Sequence, residues 1–389
     1  MKQMTRRDFT KLAAASAAGL MLPRFAFAQA GLTASAFDRE YNRYKPSTSN
    51  YMEVHKELVV IDGTTNLTGL DKDPRYLDWY KQSGSTAIVI TVSTGQMQAE
   101  SSVGHNDQTL DGLGFISRLL QTRDDLLLVR SASDIAAAKQ TGKLGLVLQM
   151  QNAQVVEKNF DLVNMYKSLG VNVIGLAYNV RNQFANGVTE RTDGGLSDLG
   201  LALIKRMNEA KVIVDVAHTG VRSGLDACET STLPVVCSHS NSREYYASKR
   251  NAPDELIKAV AKTGGLCGAV MYPSFVADNA YPSMDDYVDS IDYLVQLVGI
   301  DHVAVASDYT NQIAMTDEQQ KAGWKAMIDS GAWDPLTYPY DVLTYPEGLE
   351  TPKTLFHLTD ALLARGYKKE DIAKLWGGNW MRVIEAVVG

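Results

Sequence analysis

Two histidines each close a short apolar run: His218 in Ile213-Val-Asp-Val-Ala-His218, and His239 in Pro234-Val-Val-Cys-Ser-His-Ser240. A third such run, His302-Val-Ala-Val-Ala-Ser-Asp308, ends in an aspartate. Imidazoles are neutral over much of the physiological range, and held on rigid elements they suit a zinc-type ion. A carboxylate beside them can hold or deprotonate a metal-bound water, which makes Asp308 the candidate catalytic base. A lone histidine after an apolar run is ordinarily structural. Two histidines closing consecutive runs, with an aspartate closing the last, point to a site.

Other apolar runs end in polar residues of the same reach: Asp62-Gly63-Thr64-Thr65-Asn66, Gln149-Met150-Gln151-Asn152, Tyr178-Asn179 and Asp215. Arg250 and Asn251 follow the His239 run and either brace a loop or, with Tyr272 at the close of the next run, recognise a substrate carboxylate. Glu190 and Asp193 could supply a carboxylate but read better as a solvated loop. His105 lies in a polar stretch and reads as a surface residue. His302 precedes its run and is expected to be structural, while His55 and His357 lack a motif and receive no role.

Runs that all end in polar residues need elements that bring those ends together. From residue 59 to 308 the chain repeats a Val/Ile-rich run, a polar turn and a segment of helical period, the pattern of parallel strands with crossover helices. Eight strands are expected near Val59–Asp62, Thr86–Ser93, Gly145–Met150, Val171–Tyr178, Val212–His218, Val235–His239, Leu266–Tyr272 and Val303–Asp308. Leu126–Val129 is expected to be a side strand or loop. Helices are expected over Asp198–Ala210, with Leu199, Leu203 and Met207 at four-residue spacing, and over Pro253–Thr263. Since no glycine-rich phosphate turn follows the first strand, the fold expected is a (β/α)8 TIM-like barrel rather than an open sheet. In such barrels the chemistry sits at the C-terminal ends of the strands.

The first residues read differently. Thr5-Arg6-Arg7-Asp8-Phe9-Thr10-Lys11, the apolar run Leu12–Leu22 and the small residues of Ala26-Phe27-Ala28 have the layout of a twin-arginine export signal. Residues 1–28 are therefore expected to be a signal peptide, 29–54 a lead-in segment and 55–389 one barrel domain, acting in the periplasm after export by the Tat machinery. Without residues 1–28 the chain keeps 33 basic and 44 acidic residues, a net charge of −11. That balance argues against a nucleic-acid or anionic-membrane partner. Cys228, Cys237 and Cys267 are odd in number, show no CxxC spacing and are expected to be buried free thiols.

From about residue 55 onward the order and spacing of several blocks resemble the membrane (renal) dipeptidase family of metallopeptidases, whose barrel is of the metal-dependent hydrolase type. These blocks are the two histidine segments, Lys249-Arg-Asn-Ala-Pro-Asp254, the Asp308 segment and Gly377-Gly-Asn-Trp-Met-Arg382. In that family two zinc ions share a hydroxide that attacks a dipeptide amide. The resemblance places its two strand-end histidine ligands on His218 and His239, its last-strand aspartate on Asp308 and its carboxylate-binding arginine on Arg250. The family's first-strand His-x-Asp pair falls on Thr64 and Asn66, its bridging glutamate on Gln151, and the histidine after its fourth strand on Tyr178. Most of one zinc site is therefore expected to be missing, with Gln151 oxygen left as a weak, uncharged donor.

The resemblance implies a hydrolase of dipeptides or similar amides with a free carboxylate, working with one divalent metal, most simply zinc. Two alternatives stand beside it: a non-hydrolytic tailoring enzyme and a peptide-binding pseudo-enzyme on the same barrel. The family also implies a homodimer.

Overall fold

The structure is a computed structural model that describes residues 44–66, 75–93, 105–310 and 316–389, with side chains 105–107 excluded. The signal-peptide expectation and residues 29–43 of the lead-in lie outside the described residues, as does the side chain of His105.

In chain order the strands are β1 (Ile61–Asn66), β2 (Ala87–Ser93), β3 (Leu126–Leu128), β4 (Leu144–Met150), β5 (Val171–Gly175), β6 (Ile213–Asp215), β7 (Val235–Cys237), β8 (Leu266–Val270) and β9 (Val303–Ala306). All pair in parallel in the order β1-β2-β4-β5-β6-β7-β8-β9, with β3 attached to β4 alone. The eight expected strands and the side strand are thus present. Their runs are apolar on both faces because helices cover the outside and the barrel interior is itself filled.

Closure is made between the C-terminal half of β1 and the residues just past β9. The Asp308 amide donates to the Thr64 carbonyl at 2.8 Å, and the Asn66 amide donates to the Tyr309 carbonyl at 3.0 Å. Gly63 permits this approach, since a Cβ there would lie 2.7 Å from the Val305 carbonyl and 2.8 Å from the Trp380 indole nitrogen.

The helix Asp198–Glu209 starts where Ser197 accepts the Gly200 amide, and Asp254–Lys262 starts after Pro253. The last helix, Asn379–Val387, packs Trp380, Val383, Ile384 and Val387 against Ile61, Ala87, Ile213 and Leu266, the first residues of their strands. It therefore plugs the N-terminal end of the barrel and leaves the opposite mouth for chemistry. The helix Tyr51–Glu57 runs across residue 55, and His55 joins it to Thr359 at 2.7 Å. The three cysteines are free thiols, with Cys237 and Cys267 buried; Cys228 is partly exposed, because its helix lies on the outer layer.

Candidate active site

The expected strands run too far in one respect. β5, β6 and β9 end at Gly175, Asp215 and Ala306, so Tyr178, His218 and Asp308 stand beyond them. Asn179, His218 and Asp308 take left-handed backbone conformations, with φ of 56°, 64° and 52°. Such angles are uncommon outside glycine and cluster where surrounding structure holds a functional side chain in place. Each turn swings its side chain off the strand direction and across the mouth.

His218 and His239 meet there, Nε2 to Nε2 at 2.9 Å. Their other nitrogens fix the tautomers. Asn179 uses Nδ2 to donate to the Ala332 carbonyl and the Tyr338 hydroxyl, so its Oδ1, 2.7 Å from His218 Nδ1, must accept from that nitrogen. Asp215 accepts four donors, from the Ala217 and Ser238 amides, Gln149 Nε2 and the Ser238 hydroxyl. The Ser238 proton is thereby spent on Asp215, and Ser238 Oγ accepts from His239 Nδ1 at 2.7 Å. With these tautomers both Nε2 lone pairs face one another across 2.9 Å, an arrangement that a shared proton or a cation would relieve. Burial, and then the positive charge of Arg250, push both imidazoles well below the usual histidine range, which keeps their lone pairs free.

The two imidazoles offer two neutral nitrogen donors towards a divalent ion, fewer than a closed or catalytic site uses. They do not fit the family's pair, because no group of three His, Cys, Asp or Glu side chains capable of holding a metal occurs among the described residues. Thr64 is buried and gives its hydroxyl to the Gly63 carbonyl. Asn66 Oδ1 is buried without a partner, while its Nδ2 stands 3.5 Å from Asp308. Gln151 donates to Thr91, whose hydroxyl donates to Gln149. It thus belongs to a polar chain on the barrel wall.

Arg250 is 2% exposed and has no carboxylate partner among the described residues. One Nη donates to the His239 carbonyl at 3.0 Å, the guanidinium lies 5.5 Å from the Phe275 ring centre, and Nε has no acceptor. A buried cation left this way favours an incoming anion. Asn251 is spent on the fold, donating to the Tyr246 and Phe275 carbonyls. Tyr272 stacks on Phe275 at 4.8 Å and meets Tyr338 and Tyr345 edge-on. Tyr178 lies flat on His218, ring centres 4.0 Å apart. The Asp308 carboxyl is pushed up to about 7 by burial, against the opposing charge of Arg250.

The remaining candidates serve the fold. Asp193 caps the helix Val221–Thr230 through the Arg222 amide and the Ser223 hydroxyl, and Glu190 accepts the Arg181 amide. His302 bonds the Gly265 carbonyl at the N-terminal end of β9. His357 bonds the Gly348 carbonyl. Sequence reasoning missed the groups that aim the imidazoles. Asn179 and Ser238 stand among the polar strand-end residues of the sequence, but nothing local marks either as a partner of an imidazole. Tyr338 and Tyr345, the latter donating to the Asp308 carbonyl at 2.6 Å, come from a distant segment with no local signal.

The membrane dipeptidase family (Peptidase family M19) matches residues 77–328 and 336–388. An uncharacterized protein from the pqqA 5′ region of Klebsiella pneumoniae is 28% identical over 67% of this chain and 89% of its own. An uncharacterized dipeptidase of Schizosaccharomyces pombe is 31% identical over 52% of this chain and 50% of its own. Among solved structures, an amidohydrolase from Pseudomonas aeruginosa superposes with a TM-score of 0.77 at 29% identity, covering 87% of this chain and 99% of that one. A metallopeptidase from Rhodobacter sphaeroides, liganded with a phosphinate mimic of the dipeptide L-Ala-D-Ala, shares the fold at 20% identity and a TM-score of 0.70, over 85% and 99%. With its barrel, its strand-end histidines and a family match over most of its length, the chain belongs to the membrane dipeptidase family.

Proposed function

We propose that this protein hydrolyses dipeptides or similar amides carrying a free carboxylate, with a single divalent ion at His218 and His239, and that it does so in the periplasm after twin-arginine export. The observation that carries the substrate class is Arg250, a buried guanidinium with an unused Nε–H beside the imidazole pair. A substrate carboxylate would satisfy both its charge and its open donor. The dipeptide mimic bound by the Rhodobacter relative supports the same class.

A bound divalent ion would polarise the scissile carbonyl and acidify water, and zinc suits the imidazole donors. The chain's own residues do the rest. Arg250 orients the substrate, and Asp308, a buried carboxyl just past β9, takes and returns the proton. Tyr178 walls His218 from one side, and the aromatic cluster above it excludes water.

Elemental analysis of purified protein, with turnover of a dipeptide panel, tests the proposal. About one zinc per chain is expected, lost in His218→Ala and His239→Ala and kept in His302→Ala. Arg250→Lys should raise KM about tenfold or more, because the ammonium cannot reproduce the planar guanidinium. Equal metal content in all three histidine variants would remove the strand-end pair as ligands. Metal-free protein with no turnover would favour the peptide-binding alternative.

A further inference from the structure

Between Ser330 and Tyr345 the chain forms neither helix nor strand, yet it is tightly fixed over the mouth. Loops of this length inside a compact domain are commonly functional. Trp333 stacks on Tyr338 with ring centres 4.4 Å apart, and Tyr338 packs on Phe275 at 5.5 Å, the ring that underlies Arg250. Tyr345 donates to the Asp308 carbonyl, and Asp334 pairs with Lys249 at 3.2 Å. With His239 and Arg250 almost wholly buried, a dipeptide reaches them only when such a strap lifts.

One amide links strap and imidazole. Asn179 Nδ2 donates to the Ala332 carbonyl at 3.2 Å and the Tyr338 hydroxyl at 3.1 Å, while Oδ1 accepts the His218 Nδ1 proton. Its main chain is clamped, because its carbonyl accepts both the amide and the hydroxyl of Thr189, and a Cβ on Gly187 would lie 2.0 Å from it. The side chain is therefore the adjustable part. The strap's two acceptors hold the nitrogen arm outward, which forces the oxygen arm onto His218. Without them the amide is free to flip, present Nδ2 to Nδ1, and favour the tautomer that protonates Nε2 and removes its lone pair from the site.

We propose that Asn179 is a positioning residue that couples docking of the Ser330–Tyr345 strap to the orientation and tautomer of His218, so that the imidazole becomes competent only when the mouth is closed. This rests on the reading of His218 as a working imidazole of the site. It gives the chain a way to assemble its chemistry after the substrate has entered and water has been excluded.

The test uses protein as isolated, labelled with ¹⁵N-histidine, and follows two signals: exchange protection of the His218 Nδ1 proton by NMR, and hydrogen exchange of the 332–338 amides by mass spectrometry. Asp334→Ala with Trp333→Ala loosens the strap through its Lys249 pair and its stacking on Tyr338, and removes neither group that Asn179 bonds. Strap amides should exchange about tenfold faster, and protection of the His218 Nδ1 proton should fall with them. Asn179→Asp keeps an acceptor for Nδ1 but loses the donor to the strap, so strap exchange should rise while the Nδ1 signal persists. Faster strap exchange with unchanged His218 protection in the first variant would overturn the coupling, as would wild-type strap exchange in Asn179→Asp. Metal content is measured separately, so a protein that binds no metal but shows both responses retains the coupling and loses only the metal assignment.

Discussion

Asp308 is held in a left-handed turn with its carboxyl raised from 3.8 to about 7 by burial. Between those two values the folded chain keeps a proton that the unfolded chain releases, so stability falls as pH rises from about 4 to about 7. Asp308→Asn removes that dependence. In chelated protein, the variant should gain a few kcal/mol over the parent at pH 8 and little at pH 4, read from urea midpoints. Its hydrolytic kcat should drop about a hundredfold or more for loss of the proton acceptor. A gap between variant and parent that does not change with pH would show that burial does not perturb this carboxyl. The replaced family ligands give a second prediction at this scale. Asn66→Asp and Gln151→Glu change little volume and supply two carboxylates at the strand ends, so together they should raise the metal bound per chain by up to one ion. Adding Thr64→His places a ring where Thr64 is fully buried and should cost about 1–3 kcal/mol of stability.

The elements around the barrel carry their own titration. His55, on the helix Tyr51–Glu57, donates from Nε2 to the Ser83 carbonyl and accepts at Nδ1 from Thr359, which also takes the Trp376 indole proton. Burial lowers this imidazole from 6.5 to about 4. Here the folded chain resists a proton that the unfolded chain accepts, so the contribution is complete above pH 6.5 and is lost as pH falls towards 4. The loss amounts to about 3 kcal/mol. His55→Gln should flatten that acid limb, measured by thermal unfolding across pH 4–7. Because Asp308 acts in the opposite direction over much of the same window, the two variants should change the slope of stability against pH with opposite signs. At the same scale, the turns after β5, β6 and β9 explain why the strands end earlier than their apolar runs suggest. Val216 and Ala217 continue the hydrophobic pattern, but they line a turn that aims His218, and burial alone does not distinguish a strand from the turn that ends it.

For the whole molecule, the twin-arginine reading makes a prediction independent of the site. Changing Arg6 and Arg7 together to Lys should leave precursor in the cytoplasm, because the guanidinium pair is what an arginine-reading receptor distinguishes from ammonium groups. Cell fractionation that finds mature protein in the periplasm of this double variant would exclude the route.

The sequence by itself determined the barrel and the pair of histidines at its mouth. Both follow from short-range patterns: Val/Ile runs recurring with helices between them, each ending in a polar residue that parallel strands must bring to one rim. Thr64 and Asn66 lie at the C-terminal end of β1 and Gln151 directly follows β4, positions that the same patterns mark in the sequence. Tertiary structure alone decided how the imidazoles are aimed. Asn179 and Ser238 set the tautomers through bonds to Ala332, Tyr338 and Asp215, and Tyr338 lies 159 residues from the amide it meets. No local period encodes such a contact, because a side-chain hydrogen bond between distant segments exists only once packing has brought its donor and acceptor within about 3 Å.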